Sequence, residues 1–448
     1  MADRFVSFCD RFSGHFRTQT RSVVAQSRQY LSGLMQARRK NMERMAEVVA
    51  DSDEQALQHF LSQSPWSHRD VLDQVASEAD ARLGGYADSA LLIDESGITK
   101  KGRHSVGVAR QWNGRLGKVD NCQVGVFGAL CHGDRAVLID ARLYLPKEWT
   151  DDPARCHRLG IPVAEQVARA KTELALEIVR HQRAAGVRFE WVVADGGYGK
   201  DPAFLRALDG DGEVFVADVH KDQHIYLEDP QPHIPPSGSR RGHPHTRRVA
   251  QASPVRVDEW VAAQPDSAWQ SVAIRDTTKG ELRVQILHRR VWLWDNHEPQ
   301  AQHWHLIVRR EHHARGDIKY ALSNAPADTA PTRLARMEAQ RFWVERAFQD
   351  GKGQAGLDHY QARGWRAWHH HMALVAMALL FMLEERTALR EHLPLLSCAD
   401  IEQLLARFLP RRDPHPDELI RQLEVRHCKR QASIDSAYAK QAATCDTS

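Results

Sequence analysis

The sequence of 448 residues lacks the features that would place it in a membrane or an export pathway. Its longest apolar run, Ala373 to Leu383, is well short of the roughly 20 residues that a helix needs to cross a bilayer. The first residues, MADRFVSFCDRF, mix charges with aromatics and contain no apolar stretch of the kind that a secretory signal has. We therefore expect a soluble, cytoplasmic protein with no membrane partner.

Cysteine is also scarce, with seven residues spread widely over the chain and no CxxC pair. This spacing argues against both a disulfide framework and a zinc ribbon, so reduced thiols are expected. The glycines that follow Asp195 do not have the GxGxxG spacing of a dinucleotide-binding loop. The chain has no internal repeat and no low-complexity tract.

Charge is nearly balanced overall, with a net charge of +3, but the basic residues cluster. Residues 1–44 carry nine arginines and lysines against three acids, a local charge of +6. A basic segment on a nearly neutral protein indicates an anionic partner, nucleic acid before membrane. A solvated helical face is the alternative for any one of these side chains. A second cationic stretch, SRRGHPHTRR at residues 239–248, suits contacts with a nucleic-acid backbone.

The length and the hydrophobic pattern predict more than one domain around an α/β layer. Apolar spacing is helical up to about residue 83, after which segments from Ala90 to Leu145 predict an antiparallel meander of three or four strands. A long amphipathic helix over Ile161–Ala185 is predicted next, followed by a strand, a helix and a strand that ends at Val219. This order is typical of an α/β layer with a mixed sheet.

The later part of the chain is predicted as an insertion followed by helices. Loops rich in proline, histidine and arginine alternate there with strands, and helix returns at 332–351 and 365–391. The predicted divisions are a helical region at 1–85, expected to bind DNA through its basic segment, an α/β core at 86–220 and 331–395, a β-rich insertion at 221–330, and a helical C-terminal region at 396–448.

Two aspartates follow apolar strands in the same way. Asp94 comes after ALLI and Asp195 after WVVA, and each is followed by a glycine within three residues. Carboxylates at the ends of neighbouring strands can converge, and two or three of them bind Mg²⁺ or Mn²⁺ through oxygen. Such a site activates a water or hydroxyl in phosphoryl transfer. For either aspartate alone, capping of the following turn is the structural alternative.

The segment RFWVERAFQDGKGQAGLDHYQARGW, residues 341–365, contains three carboxylates. At about 100° per residue, Arg341, Glu345 and Lys352 share one helix face. Asp350 points elsewhere, and Asp358 follows glycines that should end the helix, so both are expected in surface or turn positions. Glu345 is thus the acid that a helix can aim at the two aspartates, with cations beside it for DNA phosphates. A charge pattern on a solvated face is the alternative for the two cations.

The blocks LLIDESGITKKG, WVVADGGYGKD and RFWVERAFQDGKGQAGLDHYQARGWRAWHHHMAL, in this order, resemble those of bacterial insertion-sequence transposases of the DDE type. Within that class the chain resembles the insertion sequence 701 group. Its close relatives carry a Tyr/Arg/Glu/Lys signature, with Arg four residues before the catalytic Glu and Lys seven after it. Arg341, Glu345 and Lys352 have these spacings, but Glu338 stands at the Tyr position.

The resemblance implies a ribonuclease-H-like catalytic domain in which Asp94, Asp195 and Glu345 hold two Mg²⁺ or Mn²⁺ ions. It implies metal-dependent cleavage at element ends and strand transfer into target DNA, a cut-and-paste reaction with a hairpin intermediate as one route. The partners would be double-stranded DNA of the terminal inverted repeats and target, bound by a homodimer in the bacterial nucleoid. The alternatives are a domesticated transposase that only binds or regulates DNA, and a metal-dependent nuclease without strand transfer.

Further DNA contacts are expected from basic and aromatic side chains. In hairpin-forming relatives an aromatic of the insertion stacks on a flipped base, and Trp292, Trp294 and Trp304 are candidates here. Burial in the insertion's own core is the alternative for each tryptophan. The run His369–His371 is expected at a helix surface or on phosphate, because successive helical residues diverge too much to bind one metal ion. The predicted DNA-binding residues are Arg341, Lys352, Arg38, Arg39, Lys40, Arg240, Arg241, Arg247, Arg248 and Trp304.

Overall fold

The computed structural model describes residues 1–18, 21–236, 246–277, 280–296, 298–311, 318–413 and 415–445. The α-helices of these residues are α1 Ala2–Arg11, α2 Val24–Gln36, α3 Met42–Val48, α4 Glu54–Ser62, α5 His68–Leu83, α6 Lys147–Thr150, α7 Pro153–Arg158, α8 Lys171–Ala184, α9 Gly196–Gly199, α10 Pro202–Gly210, α11 Val257–Ala262, α12 Pro331–Ala339, α13 Phe342–Gly353, α14 Trp365–Ala388, α15 Cys398–Phe408 and α16 Pro416–Cys445. The strands are β1 Ala90–Thr99, β2 Ala109–Asn113, β3 Lys118–His132, β4 Arg135–Leu143, β5 Trp191–Ala194, β6 Phe215–Val219, β7 His224–Ile225, β8 Val255–Arg256, β9 Gln270–Thr277, β10 Gly280–Leu293, β11 Gln302–Glu311 and β12 Ile318–Ser323.

The core of the protein is a ten-stranded mixed sheet. β1 pairs antiparallel with β3, and β3 pairs antiparallel with β4, which confirms the predicted meander. On its other side β1 pairs in parallel with β5, and β5 in parallel with β6. Three antiparallel strands followed by two parallel ones, with helices on the faces, confirm the predicted α/β class with a ribonuclease-H-like core.

The segment predicted as a β-rich insertion extends this same sheet. β12 pairs antiparallel with β6, and β11, β10 and β9 follow it outward. Only β7 and β8 form a second, two-stranded sheet among the described residues. The sequence indicated the strands but not their partners, because β6 and β12 are about a hundred residues apart. The domain boundaries themselves stay predictions.

Two helices differ from their predicted bounds: one is shorter than predicted, and the other is divided into two helices. The prediction of one helix over Ile161–Ala185 is wrong in its first part, because the α-helix begins only at Lys171 and a 3-10 turn covers Val163–Glu165. The side chain of Val163 lies exposed, so the apolar spacing there does not face a core. The helix predicted over 332–351 divides into α12 and α13 around Gln340. The backbone N–H of Gln340 donates to the Met337 carbonyl, three residues earlier, instead of to a carbonyl four residues earlier.

The N-terminal helices pack on α14, which is buried along almost its whole length. The Phe381 ring of α14 contacts the rings of Phe5 and Phe8, with centroids 5.1 and 5.4 Å apart. Arg4 of α1 lies 2.6 Å from Glu385 of α14. The predicted DNA-binding region therefore shares its core with the catalytic part. Within the described part of the chain, no helix has the length and apolar character that crossing a membrane requires.

The three histidines of α14 lie in the interior, which corrects the expectation of a helix surface. His369, His370 and His371 are all buried, because the sheet, the N-terminal helices, α13 and α15 pack around this helix. His370 stacks on Trp66 with ring centroids 3.6 Å apart. His371 Nε2 donates to the Gly356 carbonyl at 2.9 Å, and its Nδ1 lies 2.8 Å from the Tyr30 hydroxyl, an arrangement that suits a neutral ring.

We expect His371 to make the protein sensitive to acid. Burial lowers the pKa of His371 to about 3, below its usual value near 6.5, so the folded state favours the neutral ring. The stabilisation is present above pH 6.5 and is lost as the pH falls from there toward 3, by up to about 1.4 kcal/mol per pH unit. Urea unfolding across this range should show a weaker pH dependence for His371→Gln than for the wild type, and an equal pH dependence of the two proteins would contradict the prediction.

Candidate active site

The two predicted aspartates lie side by side on neighbouring parallel strands. Ile93 is in register with Ala194, so Asp94 on β1 and Asp195, the residue that follows β5, stand at the same level. β5 ends at Ala194, but β1 continues to Thr99. The expectation that Asp94 ends its strand is therefore wrong: the cleft opens because the neighbouring strand stops.

Asp195 also caps the turn that follows it. Its Oδ1 accepts hydrogen bonds from the backbone N–H groups of Gly197, at 2.9 Å, and Tyr198, at 3.3 Å. The turn must pass close to β6, since a Cβ at position 199 would lie 2.0 Å from the Asp218 carbonyl oxygen, and only glycine fits there. The capping contacts fix the direction in which the Asp195 carboxylate faces the cleft.

Glu345 lies in the first turn of α13, across the cleft from the aspartates. The helix is held on the sheet by buried residues, among them Phe348, whose ring packs edge-on against Phe127 at 5.2 Å. Arg341 precedes it by one turn, and its Nη2 lies 3.0 Å from Glu345 Oε1. Lys352 is still helical and lies on the same side. Asp94, Asp195, Glu345 and Lys352 all line one open cleft of about 1190 Å³.

The charges in this cleft strongly influence one another. Burial, together with the negative charges of Asp195 and Glu345, raises the pKa of Asp94 to about 7. Burial opposes the charge of Arg341, but the carboxylates around it, Asp218 first, outweigh burial and raise its pKa. The pKa of Lys352 is lowered by burial and by the neighbouring Arg115. The site is thus a set of close acids with cations at its edge.

These acids fit a divalent metal ion. They offer oxygen ligands, the donors that Mg²⁺ and Mn²⁺ prefer, and a cation between Asp94 and Asp195 would relieve the repulsion that helps to raise the pKa of Asp94. Within the described residues, no three His, Cys, Asp or Glu side chains are gathered closely enough to hold an ion as they stand. Glu345 is turned toward Arg341, and its side chain is 54% exposed, so it is free to move.

The structure adds Asp218, which sequence reasoning missed. Ala194 is in register with Ala217, so Asp218 on β6 stands at the level of Asp195. Its Oδ2 lies 3.2 Å from Arg341 Nε. The sequence did hold a signal, because the letters VAD occur at both Asp195 and Asp218, but no glycine follows Asp218 as one follows Asp195.

The two other acids of the third block serve structural roles. Asp350 is buried, which corrects the expectation of a surface position: Arg346 lies 3.1 Å from it, and the Cys398 thiol donates to it at 3.4 Å. Asp358 lies on the wall of the cleft, 3.1 Å from Arg115. Neither is placed opposite the aspartate pair as Glu345 is.

Two predicted DNA contacts are buried, which corrects those assignments. The Lys40 ammonium lies 2.6 Å from Glu402 and has almost no contact with solvent. The Trp304 ring is buried against Phe215, with centroids 5.0 Å apart, so no face is open to a base. Of the others, Arg38, Arg39 and Arg247 are exposed and Arg248 is half-buried, whereas Arg240 and Arg241 lie outside the described residues.

The basic N-terminal segment presents fewer free cations than its composition indicated. Several of its arginines pair with acids of the same chain: Arg4 with Glu385, Arg11 with Glu78 and Glu384, Arg28 with Asp10, and Arg44 with Glu47. Among residues 1–18 and 21–44, Arg17, Arg21, Arg38 and Arg39 are exposed and form no ion pair. His359 lies at the cleft, and its pKa is lowered mainly by burial. The nearby positive charges of Lys40 and Arg39 also lower it, so Arg39 lies close to the cleft.

A comparison with protein families identifies the class. The family model described as DDE superfamily endonuclease matches residues 11–281, a stretch that includes Asp94 and Asp195 and ends before Glu345. Because the match covers well over half of the sequence, the chain belongs to the DDE superfamily endonucleases, which confirms the predicted resemblance and an enzymatic role. The chain is also similar to the probable transposase for insertion sequence element IS701 of Microchaete diplosiphon, with 23% identity over 366 residues, 79% of this chain and 83% of that protein.

Proposed function

We propose that this protein is a transposase that cleaves DNA at the ends of an insertion sequence and joins those ends to target DNA. The observation that carries the proposal is the geometry of the cleft: Asp94 and Asp195 stand level on adjacent strands, and a helix aims Glu345 across from them. The similarity to a probable transposase supports the same function. The reaction would be cut-and-paste, by a homodimer on DNA in the cytoplasm, at the nucleoid.

In this proposal Asp94, Asp195 and Glu345 hold two Mg²⁺ or Mn²⁺ ions. Such ions activate the attacking water or hydroxyl and stabilise the leaving oxygen during phosphoryl transfer. The chain's own cations position the DNA: Lys352 reaches over the Phe348 ring at 5.8 Å, and Arg341 stands beside Glu345. Both can bind phosphate oxygens next to the bond that is cut.

A second groove leads away from the cleft and offers a path for the DNA strand. It shares Lys200 and His220 with the cleft and is lined further on by Arg248 and Trp294. Trp294, rather than the buried Trp304, is therefore our candidate for stacking on a base, as a hairpin route would require. Exposed Arg38 and Arg39 would hold the duplex at the cleft mouth through salt-dependent contacts.

The test is an in vitro reaction with the DNA that flanks this gene. We expect the purified protein with Mg²⁺ to cut a plasmid at both ends of the element and to join the freed ends to a second, supercoiled plasmid. Gel analysis would detect the joined products, and sequencing would show a short target duplication. Cleavage without joining would favour the hydrolytic nuclease, and DNA binding without cleavage would favour the domesticated protein.

A further inference from the structure

Arg341 is held between two carboxylates, one on the sheet and one on its own helix. Its Nε lies 3.2 Å from Asp218 Oδ2 on β6, and its Nη2 lies 3.0 Å from Glu345 Oε1. Asp94 and Asp195 also lie close enough to favour the charged guanidinium. One arginine therefore links the predicted third metal ligand to the sheet that carries the other two.

The two contacts of Arg341 differ in their exposure to water. The side chains of Arg341 and Asp218 are 19% and 15% exposed, but that of Glu345 is 54% exposed. Breaking a mostly buried ion pair, such as Arg341–Asp218, leaves a charge without a partner away from water, which costs much free energy. An exposed ion pair one helical turn apart, such as Arg341–Glu345, stabilises the structure by only about 1 kcal/mol or less. The contact with Asp218 is therefore the anchor, and the contact with Glu345 is the one that can be exchanged.

The anchor is itself firmly placed. Asp218 lies in β6, opposite Ala321 of the paired strand β12 and one residue after the last pairing of β6 with β5. Glu338, which stands at the signature Tyr position, is neutralised by Arg309, whose Nε is 2.9 Å from Glu338 Oε2. Because Glu338 already pairs with Arg309, the carboxylates that contact Arg341 are those of Asp218 and Glu345.

We propose that Arg341 is an exchangeable latch, anchored by Asp218, that keeps Glu345 off the metal ions until a DNA phosphate replaces the Glu345 carboxylate on the guanidinium. Glu345 then turns to the ions held by Asp94 and Asp195. A phosphate competes well because it offers arginine two parallel charge-assisted hydrogen bonds. Asp218 acts through Arg341 and is a positioning residue. The inference rests on the proposed function, since it takes the three acids as metal ligands.

The latch predicts how Mn²⁺ affinity depends on Arg341 when no DNA is present. With Arg341 intact, Glu345→Gln should change the affinity by less than about twofold, because the exposed pair keeps Glu345 off the ion. In an Arg341→Ala background the same change should weaken Mn²⁺ binding by about fivefold, because the freed carboxylate has become a ligand and an exposed pair worth about 1 kcal/mol can hold back a gain of that size. Isothermal titration calorimetry with MnCl₂ alone measures all four proteins of this cycle.

Sulfate and Asp218 test the exchange itself. Sulfate, a tetrahedral dianion like phosphate, should make Glu345→Gln weaken Mn²⁺ binding even with Arg341 intact, whereas chloride at the same ionic strength should not. In an Asp218→Asn background, Glu345→Gln should weaken Mn²⁺ binding by about threefold or more without sulfate, because the guanidinium is no longer held in place. A role of Asp218 in folding alone would not create this dependence on Glu345.

Arg346 provides the matched control. It follows Glu345 directly and lies 3.1 Å from Asp350 one turn later, so Arg346→Ala removes an arginine–carboxylate pair of the same i, i+4 spacing from the same helix, with a buried acid in place of an exposed one. In the Arg346→Ala background, Glu345→Gln should still change the Mn²⁺ affinity by less than about twofold. Circular dichroism checks the fold of every variant.

Two results would overturn different parts of the argument. An equal loss of Mn²⁺ affinity on Glu345→Gln with and without Arg341, in sulfate-free buffer, would refute the latch and leave the proposed function standing. Unchanged Mn²⁺ affinity on Asp94→Asn would refute the metal site itself, and with it the proposed function.

Discussion

Asp94→Asn is expected to reduce DNA cleavage by about a thousandfold or more, since the charge stabilisation by a bound metal ion is worth several kcal/mol in the transition state. Asparagine has nearly the shape of aspartate but lacks its negative charge. The buried position next to Asp195 should therefore keep its packing and lose its hold on the cation. The measurement is the rate of single-turnover cleavage of the element ends with saturating Mg²⁺.

Asp358→Asn is the matched control for this prediction. Asp358 lines the same cleft but pairs with Arg115, and it does not stand opposite the aspartate pair. We expect the cleavage rate of the Asp358→Asn variant to fall by less than about fivefold in the same assay, because a pair near the surface contributes little free energy. If the Asp94 variant kept a tenth or more of the wild-type rate, Asp94 would not be a catalytic ligand.

Glu338→Ala is expected to lower the free energy of unfolding by about 3–5 kcal/mol, because it leaves a buried arginine without its partner. The side chains of Glu338 and Arg309 are 3% and 10% exposed, and Arg309 Nη2 donates to Glu338 Oε1 at 3.2 Å. Urea unfolding followed by circular dichroism gives the change in stability.

Two variants sharpen this test. Glu281→Ala removes the partner of Arg283 from an exposed pair and should cost less than about 1 kcal/mol. Replacing Glu338 and Arg309 together by Leu and Met should restore much of the lost stability, because burying two apolar side chains avoids the desolvation of two charges. A loss below about 1 kcal/mol for Glu338→Ala would show that Arg309 finds another partner.

Local sequence determined the elements that carry the site. The run ALLI before Asp94 and the run WVVA before Asp195 predicted buried strands, because apolar β-branched residues favour the sheet interior. The spacing of Arg341, Glu345 and Lys352 predicted one helix face, because 3.6 residues make a turn. In the structure Asp94, Asp195, Glu345 and Lys352 line one cleft, and Arg341 lies beside Glu345.

The wrong predictions concern segments whose structure depends on which distant parts of the chain pack against them. The apolar residues after Ile161 have helical spacing but face water, so no helix forms there. The polar run His369–His371 lies inside because the N-terminal helices cover α14. Lys40 and Trp304 carry suitable chemistry for DNA, but burial, which depends on distant segments, removes their access to it.

By itself, the sequence indicated the family and the α/β class, and it predicted the three acids as metal ligands, because these inferences rest on short motifs and on the periodicities of single elements. Only the tertiary structure showed that Arg341 contacts Asp218 of β6 and that Glu338 pairs with Arg309 of β11. These two pairs join β6 and β11 to the end of α12 and to the residue before α13, and contacts between segments so far apart in the chain leave no periodic signal in either one.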